Sequence, residues 1–192
     1  MRKVWANLCV LAGCVAISAH ALDLTQIQTL KPGQVVSIPQ TGQAGTFQDW
    51  SVEHVNTYVE ADGNWYELQV RNKAGEQQHV FLTLDGKAVD GDMTVKSMTL
   101  DELGTNPDQL DKFAEHEKGK VFVEGVPFPY DDSGEAILQR DGDANAKETV
   151  SYIDFVSKKD EDDGVQILGY EDDTYKAWLT HSVDVSAMTI KP

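Results

Sequence analysis

Asp141, Asp143 and Asn145 stand at alternate positions in "DGDANAKETVSY", and their types and spacing come nearest to a chemical site. Oxygen ligands so spaced converge on one hard cation, such as calcium, when the backbone curls around it. The rest of a calcium loop is missing. Ala146 holds the sixth position, where the curl needs glycine, and Tyr152 the twelfth, where a bidentate glutamate closes the shell. The three residues are the calcium candidate, and a plain polar hairpin turn is the reading that half a ligand set favours.

Nucleophilic and metal chemistry find less support. His54, His79, His116 and His181 are too far apart in sequence for a zinc motif. "THSVD" holds His181, Ser182 and Asp184, but strand alternation places His181 opposite the other two, against a local triad. There is no G-x-S-x-G elbow and no glycine-rich phosphate loop. Among 32 acidic residues nothing singles out a glycosidase-type pair of carboxylates. The sequence therefore predicts no catalytic residue and no cofactor. Trp50, Trp65, Tyr66, Tyr152, Phe155, Tyr170, Tyr175 and Trp178 sit in strand-like runs, where large rings are core or cross-strand partners before they are a ligand-stacking platform.

The elements that must position these residues are mostly strands. "QVVSI", "WSVEHVNTYVE", "WYELQVRN" and "QHVFLTL" are separated by the turns "ADGN" and "KAGE", and "DGK" and "DGD" then break the chain. "KVFVEG", "EAILQR", "TVSYIDFVS", "VQILGY" and "YKAWLTHSV" follow, with "DDSG", "DGDAN", "KKDEDDG" and "EDDT" as turns. This pattern predicts a mainly β fold of antiparallel hairpins, a sandwich or an open barrel, in two β-rich halves at about 33–98 and 120–192. The connector at 99–119 is helical over about 99–118. Thr99 and Glu102 have capping-box spacing, Asn106 caps a helix with Pro107 at its first position, and Gly119 stops it. Leu110, Phe113 and Ala114 share its apolar face. "DGNWYELQV" and "DDTYKAWLT" echo each other, which reads as hairpin chemistry before duplication.

Compartment follows from the start of the chain. Arg2 and Lys3, an apolar run from Leu8 to Ile17 and "AHA" predict a secretory signal at 1–21, cut after Ala21. That run is too short to span a bilayer. "LAGC" offers the alternative of a lipid-anchored envelope protein beginning at an acylated Cys14, and the longer apolar run favours the Ala21 cut. Cut there, residues 22–192 form one domain without cysteine, in the periplasm or secreted. With 16 basic against 32 acidic residues the net charge is −16, and losing Arg2 and Lys3 makes it −18. Nucleic acid and anionic lipid should be repelled. Solubility explains the charge most simply; attraction to calcium, polyamines or a basic partner is the sharper reading. The acid clusters 160–163 and 171–173 look like turn tips first.

Several stretches resemble a widespread bacterial family, domain of unknown function 4178. They are "VEGVPFPYDDSGEA", "VSYIDF", "QILGYEDDTYKAWLT" and the closing "VSAMTIKP", with a looser likeness over "WSVEHVNTYVEADGNWYELQVRNKAGEQQHVFL". Phe128 and Pro129 depart from a tyrosine-centred strand, Thr180 and His181 stand where a glycine is frequent, and the leader is unlike many members. The resemblance implies no established activity. Family members are often encoded near membrane-stress proteins, small membrane proteins and polyamine-synthase-like enzymes, which implies an accessory role. The sequence thus leads to an exported, non-catalytic accessory or interaction domain of the cell envelope that meets a protein partner. The alternative is a periplasmic domain binding calcium, a polyamine or another small cationic ligand.

Overall fold

The computed structural model describes residues 22–40, 43, 45–61, 63–85 and 88–191. The predicted signal segment, its Ala21 cut and Cys14 lie outside the described residues. The chain forms α1 (Leu24–Thr29), β1 (Val35–Pro39), β2 (Phe47–Val59), β3 (Asn64–Asn72), β4 (Gln77–Asp85) and β5 (Ala88–Met98). It continues with α2 (Pro107–His116), β6 (Lys120–Val123), β7 (Val126–Arg140), β8 (Lys147–Val156), β9 (Asp163–Tyr170) and β10 (Tyr175–Ser182). A 3-10 turn (Val185–Ala187) and β11 (Thr189–Lys191) close it.

The described strands make one antiparallel sheet in the order β11-β1-β2-β3-β4-β5-β10-β9-β8-β7-β6. One further pairing, Asn56–Val59 of β2 with Ile137–Arg140 of β7, closes eight of them, β2–β5 and β7–β10, into a ring. It is ring-like rather than a regular barrel because β2 shares one edge between two partners. Its first part pairs with β1 over Phe47–Ser51, and a register shift between Val52 and His54 separates that part from the stretch that meets β7. The mainly β class and the hairpins are as the sequence predicts.

Alternation along each strand divides the side chains between the lumen and the outside. Three apolar clusters result. Tyr58, Trp65, Phe81, Leu138, Leu168 and Trp178 fill the lumen. Outside the first half, Trp50, Val52, Leu68 and Val80 pack beneath Ile27 of α1 and Met188. Outside the second half, Phe155, Val165 and Ile167 pack beneath Leu110 of α2 and Val121 of β6. Strands covered on both faces lose the clean apolar–polar alternation, as β3 shows with Trp65, Tyr66, Glu67 and Leu68 all buried.

Three local expectations are corrected, each by a close approach. "DGD" lies within β5 and does not break the chain, because Gly91 leaves room for Val185, whose Cγ2 would meet a Cβ there. "DDSG" is a bulged part of β7, with a register shift between Tyr130 and Asp132, and Gly134 makes room for the Tyr152 ring of β8. Asn106 caps α2 through its bond to the Gln109 N–H, and Pro107 follows, but the helix ends at Glu117, in the left-handed region at φ 47°. Gly119 instead gives space to the Phe113 ring. Thr99 and Glu102 do exchange reciprocal bonds, around a turn that precedes the helix.

Each half runs helix, short strand, then four long strands, and the halves meet through equivalent strands, β2 with β7 and β5 with β10. The sequence echo falls on β3 and on β10, which are not equivalent in that order. It is hairpin chemistry, whereas the repeat lies in the succession of elements. Leu138, fully buried opposite Tyr58 at the closing pair, is the sensitive position. Leu138→Ala is expected to lower stability by about 2–5 kcal/mol in urea unfolding. Val95→Ala, at a residue 58% exposed, should stay within about 0.5 kcal/mol.

Candidate functional site

The lumen is lined by aromatic rings that fix one another. Tyr58 and Trp65 stack with centroids 3.6 Å apart, Tyr152 meets Trp65 edge-on at 6.0 Å, and Phe81 lies between Trp65 and Trp178. Into this apolar packing β3 places Glu67, 2% exposed. A carboxylate so buried must be hydrogen-bonded. Asn56 Nδ2, Tyr58 Oη and Gln69 Nε2 donate to it at 2.7, 2.9 and 3.2 Å, and His79 Nδ1 lies 2.5 Å from Oε1. Burial pushes the Glu67 carboxyl up, but His79 and these donors outweigh it and hold the group below its ordinary range. Burial, with Glu67 alongside, raises the Tyr58 phenol far above its ordinary value. The His79 ring, 4.9 Å from that of Trp178, is anchored by the same carboxylate.

At one end of the ring the lumen opens into a cavity of about 250 Å³. Its rim is acidic and its wall aromatic. Glu60 is held by Trp65 Nε1, which donates to Oε1 at 2.6 Å, and by Tyr152 Oη, which donates to Oε2 at 3.3 Å. Asp132, Asp154 and Gln166 complete it, adjacent in register across β7, β8 and β9. Asp154 is less well provided than Glu67: its Oδ1 and the Oε1 of the neighbouring Gln166 are both buried without a hydrogen-bond partner. Burial first, then the charges of Asp132 and Asp92, push the Asp154 carboxyl up to about 8. Asp92 is raised as well, again chiefly by burial.

The residues singled out by sequence lie elsewhere. Asp141 is fully engaged with β2, accepting from the Val55 N–H at 2.9 Å and meeting His54 Nδ1 at 2.8 Å. Asp143 closes its own turn by accepting from the Asn145 N–H. Among the described residues no three His, Cys, Asp or Glu side chains converge as metal ligands. His181 pairs with Asp163, Ser182 with Asp92 and Asp184 with Ser186, three separate contacts in place of a triad. Of the aromatic residues, Trp50, Tyr66 and Phe155 are core, while Trp65 and Tyr152 also wall the cavity. Sequence reasoning missed Glu60, Glu67, Asp132, Asp154 and Gln166. Only Asp154 left a trace, as a charge between Ile153 and Phe155 in a strand whose other face is apolar.

With the ring and its mouth established, comparison with protein families is decisive. A family model described as domain of unknown function (DUF4178) matches residues 40–185. The chain belongs to the DUF4178 family. The matched stretch contains all eight ring strands and every residue of the mouth, and leaves out α1, β1 and β11. The ring is thus the DUF4178 body, and the remaining elements cover its outside. No curated protein and no solved structure matches this chain. No helix among the described residues is long and apolar enough to cross a membrane.

The two buried acids should titrate stability in opposite directions. Glu67, depressed in the folded state, contributes stability above its unfolded pKa that is lost as pH falls through the folded value. Glu67→Gln is expected to flatten the acid limb of a plot of Tm against pH. Asp154 is raised, so between the ordinary carboxyl range and about 8 the folded state holds a proton that the unfolded chain releases, and stability should fall as pH rises through that window. Asp154→Asn should abolish that fall, with a Tm above wild type at pH values beyond the folded pKa, measured by calorimetry.

Proposed function

We propose that this chain is an exported, non-catalytic accessory domain of the cell envelope that takes a small organic cation into the mouth of its ring. The observation that carries the reading is the pair of sealed acceptors, Asp154 Oδ1 and Gln166 Oε1, on an acid-rimmed cavity. A buried acceptor without a donor is unfavourable by about 1–3 kcal/mol. An ammonium group brings three N–H donors and a compensating charge to such a place. The aromatic wall of Trp65 and Tyr152 suits the apolar part of such a cation. At about 250 Å³ the cavity is smaller than the usual range for drug-sized ligands, which favours an amine of few atoms. A divalent metal is the poorer fit, since it needs six or more oxygens converging on one point.

A protein partner is the second reading. It draws on β6, at the end of the strand order, where the large apolar side chain of Phe122 is 39% exposed. A thermal melt separates the two. Spermidine at about a hundredfold excess over its Kd is expected to raise Tm by about 5–10 °C, and calcium at equal concentration to leave it unmoved. Asp154→Asn should remove the spermidine shift while remaining cooperatively folded. An unchanged wild-type Tm in millimolar spermidine overturns the cation reading and leaves the partner reading standing.

A further inference from the structure

Beyond Asp154 the cavity beneath Glu60 has a neighbour. Thr83, Asp154 and Gln166 line a second chamber as well, of about 180 Å³, whose walls carry Asp92, Asp131 and Asp162. Asp92 reaches it from β5, its Oδ1 accepting from Ser182 Oγ of β10 at 3.0 Å. Asp154 on β8 and Asp92 on β5 are three strands apart around the ring wall, and both border this second chamber. Carboxylates therefore stand at both ends of a double chamber, with the sealed and unpartnered Asp154 Oδ1 and Gln166 Oε1 between them. The faces between are partly apolar, with Trp65 on one side and Phe81 on the other.

Resting on the organic-cation reading, we propose that the ligand is a linear di- or polyamine lying through both chambers. One ammonium group lies among Glu60, Asp132 and the unmet acceptors of Asp154 and Gln166, another reaches Asp92 and Asp162, and the alkyl chain passes Thr83 and the aromatic rings. A ligand whose charges are held apart by methylenes matches acids that are themselves held apart, whereas a point charge meets only one end. Mutual repulsion among acids confined in a small lumen strengthens the case: burial and the neighbouring carboxylates raise Asp92 and Asp154 together, and two separated positive charges relieve both.

Isothermal titration of the purified protein with butylamine, putrescine, spermidine and magnesium ion tests the assignment. Putrescine or spermidine is expected to bind with one-to-one stoichiometry and at least about tenfold more tightly than butylamine, one charge-assisted contact being enough for that factor. Magnesium, with the same charge as putrescine at a single point, should bind no better than butylamine. Asp92→Asn, checked for a wild-type circular dichroism spectrum, should bring putrescine down to the butylamine level. Equal affinities for butylamine and the diamine overturn the two-chamber ligand but leave the organic-cation reading intact. The same holds for magnesium matching putrescine, or for the diamine advantage surviving in Asp92→Asn. If no amine binds the wild type, both readings fall.

Discussion

The four-residue ladder between β2 and β7 is the constraint on which the rest of the structure depends. Without it the chain is an open antiparallel sheet, and the face bearing Tyr58, Trp65, Phe81 and Trp178 is uncovered. With it that face becomes a lumen with a low local dielectric. Polar groups inside must then be satisfied internally or left in need of something. The ladder is short because β2 owes its first residues to β1, and the shift between Val52 and His54 lets one strand serve two partners. Asp141 reinforces the junction by reaching from the end of β7 to the Val55 N–H. Asp141, one of the three calcium candidates, is thus a fastener of the ring.

Two acids in one lumen meet the same physics differently, one satisfied by the protein and one left with an unpartnered oxygen. Glu67 is surrounded by donors from β2, β3 and β4, so its charge is held by groups whose own positions it fixes. Removing it would leave the Tyr58 hydroxyl and the Asn56 amide without their partner. Asp154 sits in the second half, where Val150 and Leu168 supply no hydrogen bonds. Its neighbour across β9, Gln166, has an unmet acceptor of its own. The lumen thus solves one burial problem completely and leaves another open at its mouth.

The β class, most hairpins and the connector helix were legible because they are written locally, in Gly/Asp turns, in strand-length apolar runs and in the Asn106-Pro107 cap. What misled was the same vocabulary used for another purpose. Gly91 and Gly134 look like turn residues in "DGD" and "DDSG", yet both are strand positions without a Cβ because Val185 and Tyr152 press against them. Misreading those two stretches also hid Asp92, Asp131 and Asp132, acids that border the two chambers. Closure of the ring was beyond reading. It joins residues far apart in the chain, and nothing in "NTYV" or "ILQR" names the other as partner. The expectation of an export leader rests on sequence alone, since residues 1–21 lie outside the described structure.

The repeated order of elements has a consequence for biogenesis. Both seams of the ring, β2 with β7 and β5 with β10, join one half to the other, so neither half can satisfy its own terminal strands. As the polypeptide is made from its amino end, the first four long strands exist for a time with naked hydrogen-bonding margins and an oily inner surface. Such a half-made sheet is a natural client for a holdase, and its danger passes only when Tyr175–Ser182 arrives to zip the last margin shut.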